Sequence, residues 1–104
     1  MIESERLGET LNKALQIFGR EKQQIKTCEE LGELQAEIFK ILKGKGSFEN
    51  LTEEIADVLI CIEYIKKIHC IGEREIELML EKKIERLICI IEEEERKRNP
   101  EPEY

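Results

Sequence analysis

The stretch that decides the fold is EELGELQAEIFKILKGKGSFENLTEEIADVL, residues 29–59, in which two helical patterns flank a short turn. The turn, GKGS at residues 44–47, contains two glycines, and Gly44 suits the left-handed position just past a helix end. After the turn, Asn50 and Glu53 have the spacing of the N-cap and N3 residues of a capping box. The stretch therefore predicts one helix that ends just before the turn and another that starts near Asn50.

Further helical segments lie on both sides of this pair. Apolar residues recur there at spacings of three and four residues, and sparse glycines and prolines separate the segments. The predicted helices are residues 3–18, 20–43, 50–70 and 73–97. Short connections favour antiparallel neighbours, so we predict an all-α, four-helix antiparallel bundle. We expect a single domain over residues 1–98 and a frayed charged tail over residues 99–104.

The composition agrees with a helical protein and limits its partners. Of 104 residues, Lys and Arg account for 17 and Asp and Glu for 24, so the net charge is −7. A net-acidic domain repels phosphates of DNA and RNA, so we expect no nucleic-acid partner. No apolar run is long enough to span a membrane, and the start MIESERLGE lacks a signal-peptide pattern. We therefore expect no membrane partner and a cytoplasmic location.

The cysteine and histidine content argues against several kinds of site. Cys28, Cys61, Cys70 and Cys89 form no CxxC pair, and His69 is the only histidine, so neither a zinc site nor a redox motif has its usual spacing. We expect reduced cysteines that pack in the core as small hydrophobic residues. A single histidine also gives little support for Ser/His/Asp or Cys/His catalysis.

The third helix is apolar around most of its circumference. Its apolar residues are Ile55, Val58, Leu59, Ile60, Cys61, Ile62, Tyr64, Ile65 and Ile68. Such a helix must be buried on most sides, and three companion helices in a small monomer can hardly cover it. An exposed apolar face of that size favours association, so we predict a homodimer or a homotetramer.

Each helix of the central stretch carries a pair of acidic residues. Glu30 and Glu33 are three residues apart, as are Glu54 and Asp57, so each pair lies on one helix face. The second pair falls inside the apolar face of the third helix, which predicts buried acids. A solvated helix face would explain the first pair taken alone. The positive N-terminus of the third helix would favour Glu53 and Glu54, but it explains Asp57 less well.

Buried carboxylates normally need an ionic partner. No basic residue lies three or four positions from Asp57, so a local ion pair is not available to it. Two antiparallel helices that each carry an acidic pair can bring four carboxylates together, and ligation by oxygen alone suits Mg²⁺ or Mn²⁺. Mg²⁺ typically bridges protein carboxylates and substrate phosphates, so the pattern favours attack of water on a phosphoanhydride.

The paired motif resembles the signature of the all-α nucleoside triphosphate pyrophosphatase superfamily, and the chain length is similar to that of its short MazG-like members. That signature is EExxE followed by ExxD; here EELGE occupies residues 29–33 and EIAD residues 54–57, with 20 residues between them. The resemblance covers about residues 18–90, and FGREKQ at residues 18–23 is similar to the segment that precedes the first motif. It implies a MazG-like fold and Mg²⁺-dependent hydrolysis of a nucleoside triphosphate between the α and β phosphates, with Mn²⁺ as a substitute. The products would be a monophosphate and pyrophosphate.

The resemblance also implies roles for individual acidic residues. Glu30, Glu33, Glu54 and Asp57 would be the metal ligands. Glu29, or a ligand carboxylate with a free oxygen such as Glu33, would orient or deprotonate the catalytic water. The sequence does not separate these two catalytic roles.

Three further residues would bind the substrate by the same resemblance. Gln23 lies in the segment before the first motif, whereas Lys83 and Arg86 match basic residues of the family's fourth helix only loosely. For Lys83 the alternative is an aliphatic stem whose charge reaches solvent, and for Arg86 it is a solvated side chain. For the protein as a whole, the alternative is a non-catalytic helical module that forms homo-oligomers.

Overall fold

A computed structural model describes residues 4–99, and over that range the chain contains four α-helices and no β-strand. The helices are α1 (Ser4–Phe18), α2 (Arg20–Leu42), α3 (Phe48–Ile68) and α4 (Glu73–Arg98). The predicted all-α class is confirmed. The predicted tail, residues 99–104, lies outside the described residues apart from Asn99.

Within the described residues the helices fall into two compact units. The first contains α1, α2 and α3 and ends at Cys70, and the second begins at Ile71 and contains α4. In the first unit, α2 packs along α3 and also contacts α1. The single domain over residues 1–98 stays a prediction.

Hydrogen bonds at both ends show that α2 and α3 form an antiparallel pair. At one end, the Ser47 N–H, just before α3, donates to Oε1 of Glu37 near the end of α2, at 3.0 Å. At the other end, Nε2 of His69 lies 2.7 Å from Oε1 of Gln24, near the start of α2. The pairing places the middle of α2 opposite the first half of α3, where the acidic motifs lie.

The end of α2 agrees with the predicted role of its glycine. Gly44 has a φ of 76°, in the left-handed region that favours glycine. Its N–H donates to the carbonyl of Ile41 at 2.9 Å, and the Lys45 N–H donates to the carbonyl of Lys40 at 2.8 Å. These two bonds form the Schellman pattern that satisfies the last carbonyls of a helix.

The predicted capping box at Asn50 and Glu53 is wrong. The N-cap of α3 is Ser47, whose Oγ accepts a hydrogen bond from the Asn50 N–H at 3.0 Å, and the helix begins at Phe48. Serine and asparagine are both favoured at N-caps, so residue type alone does not choose between them. The hydrogen bond from the Ser47 N–H to Oε1 of Glu37 favours Ser47 as the N-cap, three residues before Asn50.

The core of the first unit is small and includes polar side chains. Its buried apolar residues are Leu11, Val58, Cys61 and Tyr64, and its buried polar residues are Gln23, Thr27 and Glu37. The Thr27 hydroxyl donates to the carbonyl of Gln23 at 2.9 Å, which satisfies it within α2. The buried side chains of α2 are therefore polar, whereas those of α3 are mainly apolar.

The four cysteines are all free, as expected, but they do not all lie in the core. Cys61 is buried, whereas Cys28, Cys70 and Cys89 are exposed. Cys28 follows buried Thr27 directly, so the helical turn directs it to another face. Cys70 follows the end of α3 with a φ of 54°. The prediction that the cysteines pack in the core is therefore wrong for Cys28, Cys70 and Cys89.

The second unit is the single long helix α4. The Gly72 N–H just before it donates to Oε2 of Glu75 at 3.3 Å, and its last turn carries the basic residues Arg96, Lys97 and Arg98. Basic side chains at that end favour the negative pole of the helix dipole. The apolar residues at helical spacing, Leu80, Ile84, Leu87 and Ile91, are exposed. Among residues 4–99 no helix has both the length and the apolar character that crossing a membrane requires.

Candidate metal centre

Three carboxylates meet where α2 packs on α3. Glu30 and Glu33 of α2 and Glu54 of α3 each offer one oxygen, and these oxygens all lie within 4.8 Å of one another. The spacing of three residues keeps the two side chains of α2 on one face, and the antiparallel pairing brings Glu54 opposite them. We refer to Glu30, Glu33 and Glu54 as the acidic cluster. The structure thus brings together three of the four predicted ligands.

Asp57, the fourth predicted ligand, is not among the three carboxylates that form the acidic cluster. It is exposed, so the prediction that it is buried is wrong. Its charge nevertheless contributes to raising the pKa of both Glu30 and Glu54, so it lies within electrostatic reach of them. A helical wheel gives the angle of Asp57 around α3 but not how far the neighbouring helix extends over it. Its role as a ligand stays a prediction.

Two oxygens of the acidic cluster are buried without a hydrogen-bond partner among the described residues. They are Oε2 of Glu30 and Oε2 of Glu54. Burial is the main cause that raises the pKa of each carboxyl, followed by repulsion from Glu33 and the other nearby acids. A buried polar atom without a partner is costly, and three adjacent carboxylates increase that cost. The cluster therefore favours either a bound proton or a cation.

A lysine that the sequence analysis did not single out contacts the acidic cluster. Nζ of Lys26 lies 3.7 Å from Oε1 of Glu30, one helical turn away. This ammonium lowers the pKa of Glu30, but burial, Glu33 and Asp57 outweigh it. For Glu54, burial and the charges of Glu33, Glu30 and Asp57 all raise the pKa. The four-residue spacing between Lys26 and Glu30 is visible in the sequence and could have indicated this pair.

A cavity of about 470 Å³, which we call the α2 cavity, includes Lys26, the ion-pair partner of Glu30, in its lining. It is lined by Phe18, Lys22, Gln23, Ile25, Lys26, Glu29 and Tyr64. The lining includes the predicted water-activating residue Glu29 and the predicted substrate residue Gln23. It also includes two lysines, and Nζ of Lys22 lies 6.0 Å from the centre of the Phe18 ring. A cavity of this size falls in the range of small-ligand sites.

The two remaining predicted substrate residues, Lys83 and Arg86, lie on α4 in the second unit. Both are exposed. Their roles stay predictions.

No family model, curated protein or solved structure gives a significant match to this chain.

Proposed function

We propose that the protein is a nucleotide pyrophosphohydrolase that cleaves a nucleoside triphosphate between the α and β phosphates. Water would be consumed, and a nucleoside monophosphate and pyrophosphate would be released. The observation that carries this proposal is the convergence of Glu30, Glu33 and Glu54 within 4.8 Å. The MazG-like motif order, EELGE and then EIAD, agrees with it.

The residues of the acidic cluster fit a hard divalent cation. They offer oxygen ligands only, and two of the oxygens are buried and lack another partner among the described residues. Glu30, Glu33 and Glu54 would hold Mg²⁺, or Mn²⁺ in its place, with Asp57 as the fourth predicted ligand. When bound, the cation would neutralise phosphate charge and lower the pKa of a coordinated water.

Residues of the α2 cavity would supply the remaining functions. Glu29 lines the cavity, which supports the proposal that its carboxylate would accept a proton from the attacking water. Glu33 is the alternative for this role. Gln23 lines the same cavity and would hold the substrate through its side-chain amide. Lys83 and Arg86 would contact phosphates.

Assembly belongs to the proposal as well. Ile55, Leu59 and Ile62 are spaced four and three residues apart on α3, and they are 44%, 52% and 43% exposed. We call these three residues the α3 stripe. A second copy of the chain would cover it, in a cytoplasmic homodimer or homotetramer of four-helix antiparallel bundles. The same stripe favours the alternative, a non-catalytic helical module.

The test is release of pyrophosphate from a panel of canonical and modified nucleoside triphosphates, with Mg²⁺, with Mn²⁺ and with a chelator. We expect activity with at least one triphosphate, and only in the presence of a divalent cation. Asp57→Asn should lose this activity and keep its helical circular dichroism, whereas Glu53→Gln, an exposed neighbour outside the cluster, should keep both. If no triphosphate yields pyrophosphate and no cation binds, the protein is the non-catalytic module.

A further inference from the structure

Lys26 belongs to two features of the structure at once. Its ammonium is 3.7 Å from Oε1 of Glu30 in the acidic cluster, and its side chain also lines the α2 cavity. The side chain is 57% exposed, whereas that of Glu30 is 12% exposed. The ion pair therefore joins a largely exposed lysine to a largely buried carboxylate.

The ion pair leaves the charge of the cluster mostly uncompensated. The ammonium pairs with Glu30, one of three carboxylates whose oxygens lie within 4.8 Å of one another, and Oε2 of Glu30 has no hydrogen-bond partner among the described residues. A divalent cation in the cluster carries twice the charge of the ammonium and would lie close to it. Two cations so close together repel each other, so the lysine and the metal compete for Glu30.

The ammonium of Lys26, once displaced from Glu30, can move into the α2 cavity, which Lys26 already lines. Lys26 and Lys22 are one helical turn apart on α2 and both line the α2 cavity. A flexible four-carbon stem allows the Lys26 ammonium to turn from the carboxylate toward the cavity by rotation about its own bonds. Two ammonium groups at the cavity favour an anionic ligand there.

We propose that Lys26 is the exchangeable counter-ion of the acidic cluster, paired with Glu30 until a divalent cation displaces it into the α2 cavity, where it binds a phosphate group of the substrate. This inference rests on the proposed metal site. Lys26 would thus be a substrate-binding residue of the α2 cavity in addition to Gln23. It couples binding of the cation to binding of the anion.

The first test is titration calorimetry with Mn²⁺ alone on the full chain, on Lys26→Met and on Lys22→Met. Removing the competing ammonium should tighten Mn²⁺ binding by roughly three- to tenfold in Lys26→Met. Lys22→Met is the matched control, because it removes a cavity lysine that has no ion pair with the cluster. Its Mn²⁺ affinity should change by less than about twofold.

The second test uses inorganic triphosphate at saturating Mn²⁺. Lys26→Met should bind this anion about threefold or more weakly, because the displaced ammonium is missing from the cavity. Tighter metal binding combined with weaker anion binding is a pair of opposite changes that a general loss of structure does not produce. A third measurement needs no variant: adding Mg²⁺ to the unaltered chain should shift the side-chain ammonium NMR signal of Lys26 more than that of Lys22.

The outcomes separate this inference from the proposed function. If the unaltered chain binds no Mn²⁺, the proposed metal site is contradicted, and so is the inference about Lys26. If the chain binds Mn²⁺ but Lys26→Met has unchanged affinity for both ligands, or the Lys26 signal does not shift, only the inference is overturned.

Discussion

Glu54 destabilises the metal-free folded protein and, in the proposed function, would be a ligand of the metal site. One of its oxygens is buried without a hydrogen-bond partner among the described residues, and its pKa is raised by burial and by Glu33, Glu30 and Asp57. Ionised, it adds a negative charge where two others already lie. A protein without a site there would gain stability from a neutral side chain at this position.

Glu54→Gln is therefore expected to raise the melting temperature of the metal-free protein, because it removes a buried, repelled charge. It should also weaken Mn²⁺ binding by on the order of tenfold, because the charge of the ligands sets the affinity of such sites. The amide can also donate a hydrogen bond to the remaining carboxylates. Glu53→Gln is the control, since its side chain is exposed and outside the cluster. Thermal melting with a chelator and calorimetry with Mn²⁺ measure the two effects. A lower melting temperature, or unchanged affinity, would contradict this account.

The raised pKa values of Glu30 and Glu54 also predict a pH dependence. Because each folded-state pKa lies above the ordinary 4.5, protonation contributes stability that is fully present below pH 4.5 and is lost as pH rises through the folded pKa. In chelator, the unaltered chain should therefore lose more stability than the double variant Glu30→Gln/Glu54→Gln as the pH is raised from 4.5 to neutrality. Equal slopes of melting temperature against pH for the two proteins would show that these acids are not responsible.

The sequence predicted part of the site because spacing along a helix fixes the angle between side chains. The pairing of Glu30 with Glu33 on one face, and the position of Glu54 opposite them, follow from such angles and from a short turn. The exposure of Asp57 does not follow, because it depends on how α3 is rotated against α2. The contact of Lys26 with Glu30 could have been predicted, but its position beside a cavity could not.

At the scale of elements, the turn between α2 and α3 is tightly packed at Gly46. A Cβ atom at Gly46 would lie against Cγ1 of Ile41 and 2.9 Å from both Oε1 of Glu37 and the Ile41 nitrogen. Part of this crowding comes from the buried carboxylate of Glu37, which also accepts the Ser47 N–H. The turn is thus packed directly against the end of α2.

Gly46→Ala should destabilise the protein by about 1–3 kcal/mol, since the added methyl group meets backbone and a buried carboxylate that cannot move away easily. Gly32→Ala is the matched control: it lies within α2 with no atom near the added methyl group, and it should stabilise by about 0.5–1 kcal/mol. Urea unfolding of both variants gives the two free energies. If both changes have the same sign, the described packing of the turn is wrong.

The elements themselves were predicted better than the caps between them. The periodicity of apolar residues extends over many positions, so the extents of α1, α2, α3 and α4 were evident from it. The start of α3 depended on one choice between Ser47 and Asn50, both of which suit an N-cap. The hydrogen bond from Ser47 to Glu37 decides that choice, and it joins residues 10 positions apart.

At the scale of the whole molecule, the α3 stripe is the feature that predicts assembly. We expect light scattering at micromolar concentration to give the mass of two or four chains. Leu59→Lys should shift this mass to one chain, because it places a charge in the centre of the stripe. Asn50→Lys, which adds the same charge at an exposed polar position on the opposite side of α3 from the stripe, should leave the assembly intact. A single-chain mass for the unaltered protein would contradict the prediction.

The hydrogen bond between the Ser47 N–H and Glu37 also limits how the start of α3 can evolve. Surface loops usually tolerate insertions and deletions. An extra residue between this anchor and Glu54 would rotate the glutamate by about 100° about the helix axis and carry it away from Glu30. Glu54 follows Ser47 by seven residues, about two helical turns. Insertions and deletions in the first two turns of α3 are therefore restricted by the carboxylates of a different helix.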